Sequence, residues 1–216
     1  MSLSEILSRV GKELKAKNAL REHMLTETRR ILKLSKESII LIHRGKFKAA
    51  RKRLDTAGVL LRKTLRRLED FPELKYGGAM FNACQEYAEA YIFLRLEEEG
   101  VFSPPEEVEV GFQSYLLGLA DVPGELRRRV LDTLMAGDFK EAERRFKLME
   151  EIYGKLLTLD EQIFSLVSGL RRKCDVIRHL LELTGSDLLV EKRQQRLERA
   201  LKTLERYASK IGKKRG

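Results

Sequence analysis

A chain of 216 residues, 43% of them hydrophobic, is long enough to bury a sizeable core and too apolar for a disordered polymer. Leu, Ala, Glu, Lys and Arg dominate, charged residues reach 35%, and only 4 Pro and 15 Gly interrupt them, which is the composition of long helices. The formal charge of +10 points to a polyanionic partner or to a well-solvated basic surface, and the two cysteines, Cys84 and Cys174, lack zinc or disulfide-framework spacing.

The cysteine usage fits a reducing cytoplasm, and the heavy use of Glu, Lys and Arg fits a heat-adapted source. No apolar run approaches the ~18 residues of a membrane span. The N-terminal stretch is amphipathic without the continuous apolar core of a secretory signal. GxSxG, P-loop and GxGxxG motifs do not occur, so serine hydrolase, P-loop and dinucleotide chemistries gain no support.

In chain order, apolar periodicity predicts seven helices in a single domain spanning 1–216. The first covers about 4–44, with Leu25, Leu32, Ile39 and Ile42 at helical spacing and Gly45 as its stop. The second covers about 47–69. The third starts with Pro72 in its first turn and ends at Gly100. The fourth starts at "SPPEE" and keeps one apolar register through Val108, Phe112, Tyr115, Leu119, Val122, Leu126, Val130 and Leu134. That register crosses Pro123, which predicts a kinked but continuous helix. Asp138 caps the fifth helix, with Glu141 three residues on as in a capping box. Two long helices follow, about 155–184 and 186–211, and 212–216 form a frayed basic tail.

Two pairs of acids stand out. Glu86 and Glu89 share a face of the third helix, and Asp121 and Glu125 share a face of the fourth. Two antiparallel neighbours could gather these four carboxylates, whose mutual repulsion is costly without a cation. Hard oxygen ligands suit Mg²⁺ or Mn²⁺, which can activate water and neutralise a phosphodiester. The plainer reading is a solvated polar stripe, with Glu125 paired to Arg128 or Arg129. Basic residues cluster on the second helix at Arg51, Lys52, Arg62 and Lys63, and on the fourth at "RRR", 127–129. Of these, Arg128 stands nearly in line with Asp121 and Glu125, where it could hold an RNA phosphate beside a metal; Arg129 and the second-helix set supply further RNA contacts.

Four segments, in order, are similar to the translin superfamily over about residues 20–185. "RRILKLSKESIILIHR" resembles the first-helix signature of the translin-associated protein X branch. "CQEYAEAYIF" is similar to its Q-E-x-x-E-A pattern, and "YLLGLADVPGEL" to its Y-L-L-G-x-A-D-x-x-G-E-L stretch. "GDFKEAERRFKLMEEIYGKL" resembles the helix that follows. The resemblance implies an all-α seven-helix bundle that assembles into hollow octamer-like shells around RNA. It also implies a Mg²⁺-dependent endoribonuclease of single-stranded RNA. Carried over by position, the metal-binding and catalytic acids are Glu86, Glu89, Asp121 and Glu125, and the following arginine is Arg128. Pro123 departs from the pattern. The non-catalytic branch lacks the acid at the position of Asp121, so the full set points to the enzyme, as an archaeal-type homo-oligomer. The alternatives are a translin-like protein that binds single-stranded RNA or DNA without cleaving it, and a structural helical protein whose charge serves solubility.

Overall fold

The computed structural model describes the backbone of residues 1–212 and the side chains of residues 1–206. Among the described residues there are nine helices and no strand. They are α1 (Leu3–His43), α2 (Phe47–Arg67), α3 (Pro72–Lys75), α4 (Gly78–Glu99), α5 (Pro105–Val108), α6 (Phe112–Met135), α7 (Phe139–Leu156), α8 (Glu161–Leu166) and α9 (Leu170–Gly212). No helix among them is long and apolar enough to cross a membrane. Of the basic tail expected at 212–216, Gly212 closes α9 and 213–216 lie outside the described residues.

The chain divides into two compact units, Met1–Val122 and Pro123–Gly216. In the first, α1, α2 and α4 pack against one another in pairs. Ser2 starts α1 with a full capping box, its hydroxyl accepting from the Glu5 backbone. The buried stripe of α1 is Met24, Thr28, Ile31, Ser35, Ser38, Ile39 and Ile42. Leu25 and Leu32, expected in the core, are only half-buried. Small hydroxyl residues take the stripe because they let neighbouring backbones approach: the Ser38 hydroxyl donates to the Ala50 carbonyl of α2 at 3.1 Å. Gly58 on α2 makes room for a side chain of α4, since a Cβ there would lie 2.6 Å from the Tyr87 hydroxyl oxygen.

Helix α4 is the central element of this unit. Four consecutive residues, Tyr87, Ala88, Glu89 and Ala90, are buried, so that turn has no solvent face. The expected start of this helix at Pro72 is instead the single turn α3, with a break at Gly77 before α4 begins.

The fourth predicted helix is likewise divided. After the one-turn α5, Glu109 takes the left-handed conformation at φ 59°, and α6 starts at Phe112. The intervening segment, 100–111, folds back along α4. Arg95 of α4 donates to the Ser103 hydroxyl at 3.4 Å, and the Tyr91 hydroxyl donates to Glu107 at 3.1 Å. Arg62 of α2 pairs with Glu109 at 2.6 Å. This strap returns the chain to the starting end of α4, so α6 departs in the same direction that α4 runs.

Within α6, the helix runs through Pro123 without interruption. The buried positions up to the unit boundary are Ser114, Leu117, Gly118, Ala120 and Val122, whereas Phe112 is 70% exposed. Of the expected apolar register, Val122, Leu126 and Val130 are buried and Tyr115 and Leu119 half-buried, while Phe112 faces water and the small residues Ser114 and Gly118 meet α4.

In the second unit, α7 packs on α9 through Ala142, Met149, Ile152 and Leu156 on one helix and Leu170, Cys174, Ile177 and Leu188 on the other. Asp138 caps α7 by accepting from the Glu141 backbone at 3.1 Å, while the Glu141 side chain turns to arginines instead of closing a capping box. The helix expected over 155–184 is cut twice. α7 ends at Leu156, and Gly169 adopts φ 89° before α9 starts. The break expected near 185 is absent, because Gly185 lies within α9, where a Cβ would sit 3.5 Å from the ring of Phe146.

Candidate functional site

The acidic turns of α4 and α6 meet at Gly118. A Cβ on that residue would lie 2.7 Å from the Gln85 carbonyl oxygen, 2.9 Å from the Ala88 Cβ and 2.9 Å from the Glu89 backbone nitrogen. Only glycine permits this backbone-to-backbone approach. One turn earlier, the Ser114 hydroxyl donates to the Phe81 carbonyl at 3.4 Å. One turn later, Gln85 Nε2 donates to Asp121 Oδ2 at 2.8 Å. The contacts ascend along both helices, so α4 and α6 meet in parallel, not in the antiparallel sense expected from the sequence. The strap 100–111 is the reason.

This crossing places Asp121 beside the turn that carries Glu86 and Glu89. Glu89 is buried, at 9% exposure, on the face that Gly118 covers. Glu86 is half-buried and lies 3.9 Å from the Lys36 ammonium of α1. Glu125 stands four residues beyond Asp121 along α6 and belongs to the second unit. Among the described residues, no three His, Cys, Asp or Glu side chains converge where a metal ion could be held. As the side chains stand, Glu86 is turned toward Lys36 and Asp121 toward Gln85. The donor chemistry nonetheless suits a hard divalent cation: Glu86, Glu89 and Asp121 offer only oxygen, from two helix turns in contact.

Two groups of α4 next to the acids in sequence are held in their neutral forms by burial. Burial pushes the Cys84 thiol up to about 12. Burial, with Tyr91 adding to it, pushes the Tyr87 phenol well above its ordinary range. Burial thus favours the neutral thiol and phenol over their anions.

The basic residues expected to meet RNA divide into two groups. Arg51 is paired with Glu98 and, at 3.1 Å, with Glu99, and Arg62 with Glu109. These two guanidiniums fasten α2 to α4 and to the strap. Lys52 and Lys63 are both exposed. On α6, Arg128 is exposed and Arg129 half-buried, whereas Arg127 donates to Thr184 at 2.6 Å and pairs with Asp187 at 3.1 Å. Gln85, Gly118 and Lys36 were not expected at the site from the sequence. The glutamine before Glu86 and the glycine three residues before Asp121 were the available signals.

The Translin family signature matches residues 19–182. An uncharacterized protein of Methanocaldococcus jannaschii is 32% identical over 191 residues, covering 88% of this chain and 84% of that protein. Among solved structures, the fold is similar to AfC3PO, with a TM-score of 0.78, 38% identity and coverage of 87% of this chain and 97% of that one. The AfC3PO complex with duplex RNA matches with a TM-score of 0.77 and 37% identity over the same shares. Apo-NeC3PO, at 24% identity, has the same fold with a TM-score of 0.77, over 86% of this chain and 96% of that one. With a family match over most of its length and an all-α fold of the translin type, the chain belongs to the Translin family.

Proposed function

We propose that this protein is a metal-dependent endoribonuclease of the translin-associated protein X branch, acting on single-stranded RNA. The observation that carries the reading is the close parallel crossing at Gly118, which brings Asp121 of α6 onto the Gln85–Glu89 turn of α4. A relative of known structure, AfC3PO, is seen with duplex RNA, which supports RNA as the ligand class.

Glu86, Glu89 and Asp121 would hold Mg²⁺, with Mn²⁺ as a substitute, and Glu125 would hold the metal or orient the attacking water. When bound, the cation supplies Lewis acidity and neutralises charge on the phosphodiester. Gln85 fixes the rotation of the Asp121 carboxylate, so that its orientation is set before a cation arrives. Lys36 balances the charge of Glu86 and would be released by a competing cation. Arg128, three residues beyond Glu125, holds a phosphate, and Lys52 and Lys63 draw the strand in by long-range attraction. The assembly is a homo-oligomer forming an octamer-like shell in the cytoplasm, where Cys84 and Cys174 remain free thiols. Single-stranded DNA is a second ligand.

A binding protein without cleavage is the second reading. It is favoured by the lack of a converged three-acid group among the described residues. Cleavage of labelled single-stranded RNA with Mg²⁺, with Mn²⁺ and with EDTA separates the two. The Glu89→Gln, Asp121→Asn double variant keeps side-chain shape and removes two charges. Metal-dependent cleavage lost in that variant establishes the nuclease. Binding without any product establishes the second reading.

A further inference from the structure

Helix α1 carries three cations in line. Arg29, Lys33 and Lys36 are all exposed, lie outside the buried stripe and recur at four- and three-residue intervals, so they form one row about 10 Å long. The acids of the same stretch are engaged by other cations. Glu22 pairs with Arg21 at 3.5 Å, Glu27 with Arg30 at 3.2 Å, and Glu37 with Arg53 of α2 at 3.2 Å. Lys33, with its side chain 77% exposed, reaches Glu37 only at 3.9 Å. Among the described residues, no acid pairs with Arg29.

The row ends at the candidate site. Lys36 is 3.9 Å from the Glu86 carboxylate of α4, and its side chain is 64% exposed. An exposed pair at that distance is weak, so the ammonium is available to an anion that offers more charge. Lys33 and Arg29 stand one and two turns back along α1. The carboxylates on α4 repel a polyanion, so a strand that approaches them needs cations close by to offset that repulsion. The row supplies them at the edge of the acids. Because it is straight, it follows an extended strand, whereas a strand of a duplex winds away from it.

We propose that Arg29, Lys33 and Lys36 form a track that holds the phosphates of an extended RNA strand beside the α4 acids, with Lys36 leaving Glu86 for the nearest phosphate. The inference rests on the RNA reading above. It deepens that reading by adding Arg29 and Lys33 as positioning residues and by giving the strand a direction of approach along α1.

The test uses the full chain and a labelled single-stranded RNA in EDTA, with anisotropy read across a salt series, so that binding is measured apart from cleavage. The Arg29→Ala, Lys33→Ala variant should bind less tightly, with the salt slope reduced by about 0.7 for each phosphate no longer neutralised, or about 1.4 for the pair. Lys12→Ala, Lys15→Ala removes the same charge from exposed positions earlier on α1 and should change the slope little. Equal weakening in both variants would reduce the effect to net charge and overturn the track. Glu86→Gln releases Lys36 and should tighten binding about 1.4- to 5-fold, the range of an exposed pair. That gain should vanish when Lys36→Ala is added, and a gain retained there would remove Lys36 from the track. With Mg²⁺ present, the Arg29→Ala, Lys33→Ala variant should raise KM and leave kcat unchanged, since neither side chain touches the reacting atoms. Unchanged affinity and slope in that variant, with the wild type binding and cleaving RNA, would overturn the track and leave the nuclease reading intact. A variant-sensitive slope with no cleavage by the wild type would support the track and remove the nuclease reading.

Discussion

Replacing Gly118 with alanine tests the geometry on which the candidate site depends. The added Cβ meets backbone on α4, not the end of a flexible side chain. For the 2.7 Å approach to the Gln85 carbonyl to reach ordinary contact near 3.4 Å, the two helices must separate by about 0.7 Å. Overpacking of this kind costs roughly 1–3 kcal/mol. Alanine in a helix recovers about 1 kcal/mol relative to glycine, so the net loss is about 0–2 kcal/mol, with the upper end expected because the obstacle is backbone. The same displacement acts on the hydrogen bond from Gln85 to Asp121, which at 2.8 Å has the same margin before it passes 3.5 Å. Urea unfolding gives the stability change, and RNA cleavage with Mg²⁺ gives the effect on the site. Gly124→Ala is the control, because it lies in the same helix with nothing within 4 Å of its Cβ. It should be stabilising by up to about 1 kcal/mol and leave cleavage unchanged. If Gly118→Ala matched Gly124→Ala in both assays, the parallel crossing would not be what positions Asp121.

The other expectations concern charge and burial. Lys52→Ala and Lys63→Ala should each weaken RNA binding and lower the salt slope, whereas Arg51→Ala and Arg62→Ala should change it little, since their guanidiniums face Glu98, Glu99 and Glu109; fluorescence anisotropy at several salt concentrations checks this. The Glu141 carboxyl is held below its ordinary range by hydrogen bonds from Arg144 and the charges of Arg145 and Arg129, so its contribution to stability is present above the ordinary carboxylate pKa and is lost as pH falls through the depressed value. Urea midpoints measured from pH 6 downward should therefore fall less steeply in Glu141→Gln than in the wild type. Cys84, with its thiol raised to about 12, should react with thiol reagents at pH 8 only as fast as the protein opens, so its labelling rate should follow denaturant concentration along the unfolding curve.

Much of the helical content could be read from the chain, because helix periodicity and punctuation are local signals. The starts at Phe47 and Asp138, the stop at Gly100 and the passage of α6 through Pro123 all follow from such signals. What failed was what tertiary packing decides. In α1, the expected apolar register through Leu25 and Leu32 gave way to a stripe containing Thr28, Ser35 and Ser38. A short hydroxyl can bond back to its own helix, as Thr28 does to the Leu25 carbonyl at 3.0 Å, so it can be buried against a neighbour while the apolar pattern carries no trace of it. Glycine misled in both directions. Gly185 suggested a break, yet it is a helix-packing residue beneath Phe146. The break after Leu156 has no glycine or proline until Gly169, so periodicity ran straight through it.

The candidate site divides along the same line. Four acids at helical spacing are visible in the sequence, but spacing within a helix says nothing about which neighbour a face meets or in which direction that neighbour runs. That direction is set by the strap 100–111, where Ser103, Glu107 and Glu109 fasten to Arg95, Tyr91 and Arg62 and carry the chain back along α4. An antiparallel hairpin from Gly100 into α6 would place Ser114 near the end of α4 instead of beside Phe81. Asp121 would then lie far from Gln85. The geometry proposed for catalysis thus depends on one ion pair and two side-chain hydrogen bonds in a loop, each worth about 1 kcal/mol. Weak contacts suffice there, because Gly118 and the Ser114 hydroxyl hold the crossing once it has formed. The loop selects the direction in which α6 runs, and the small residues of α6 then fix its distance from α4.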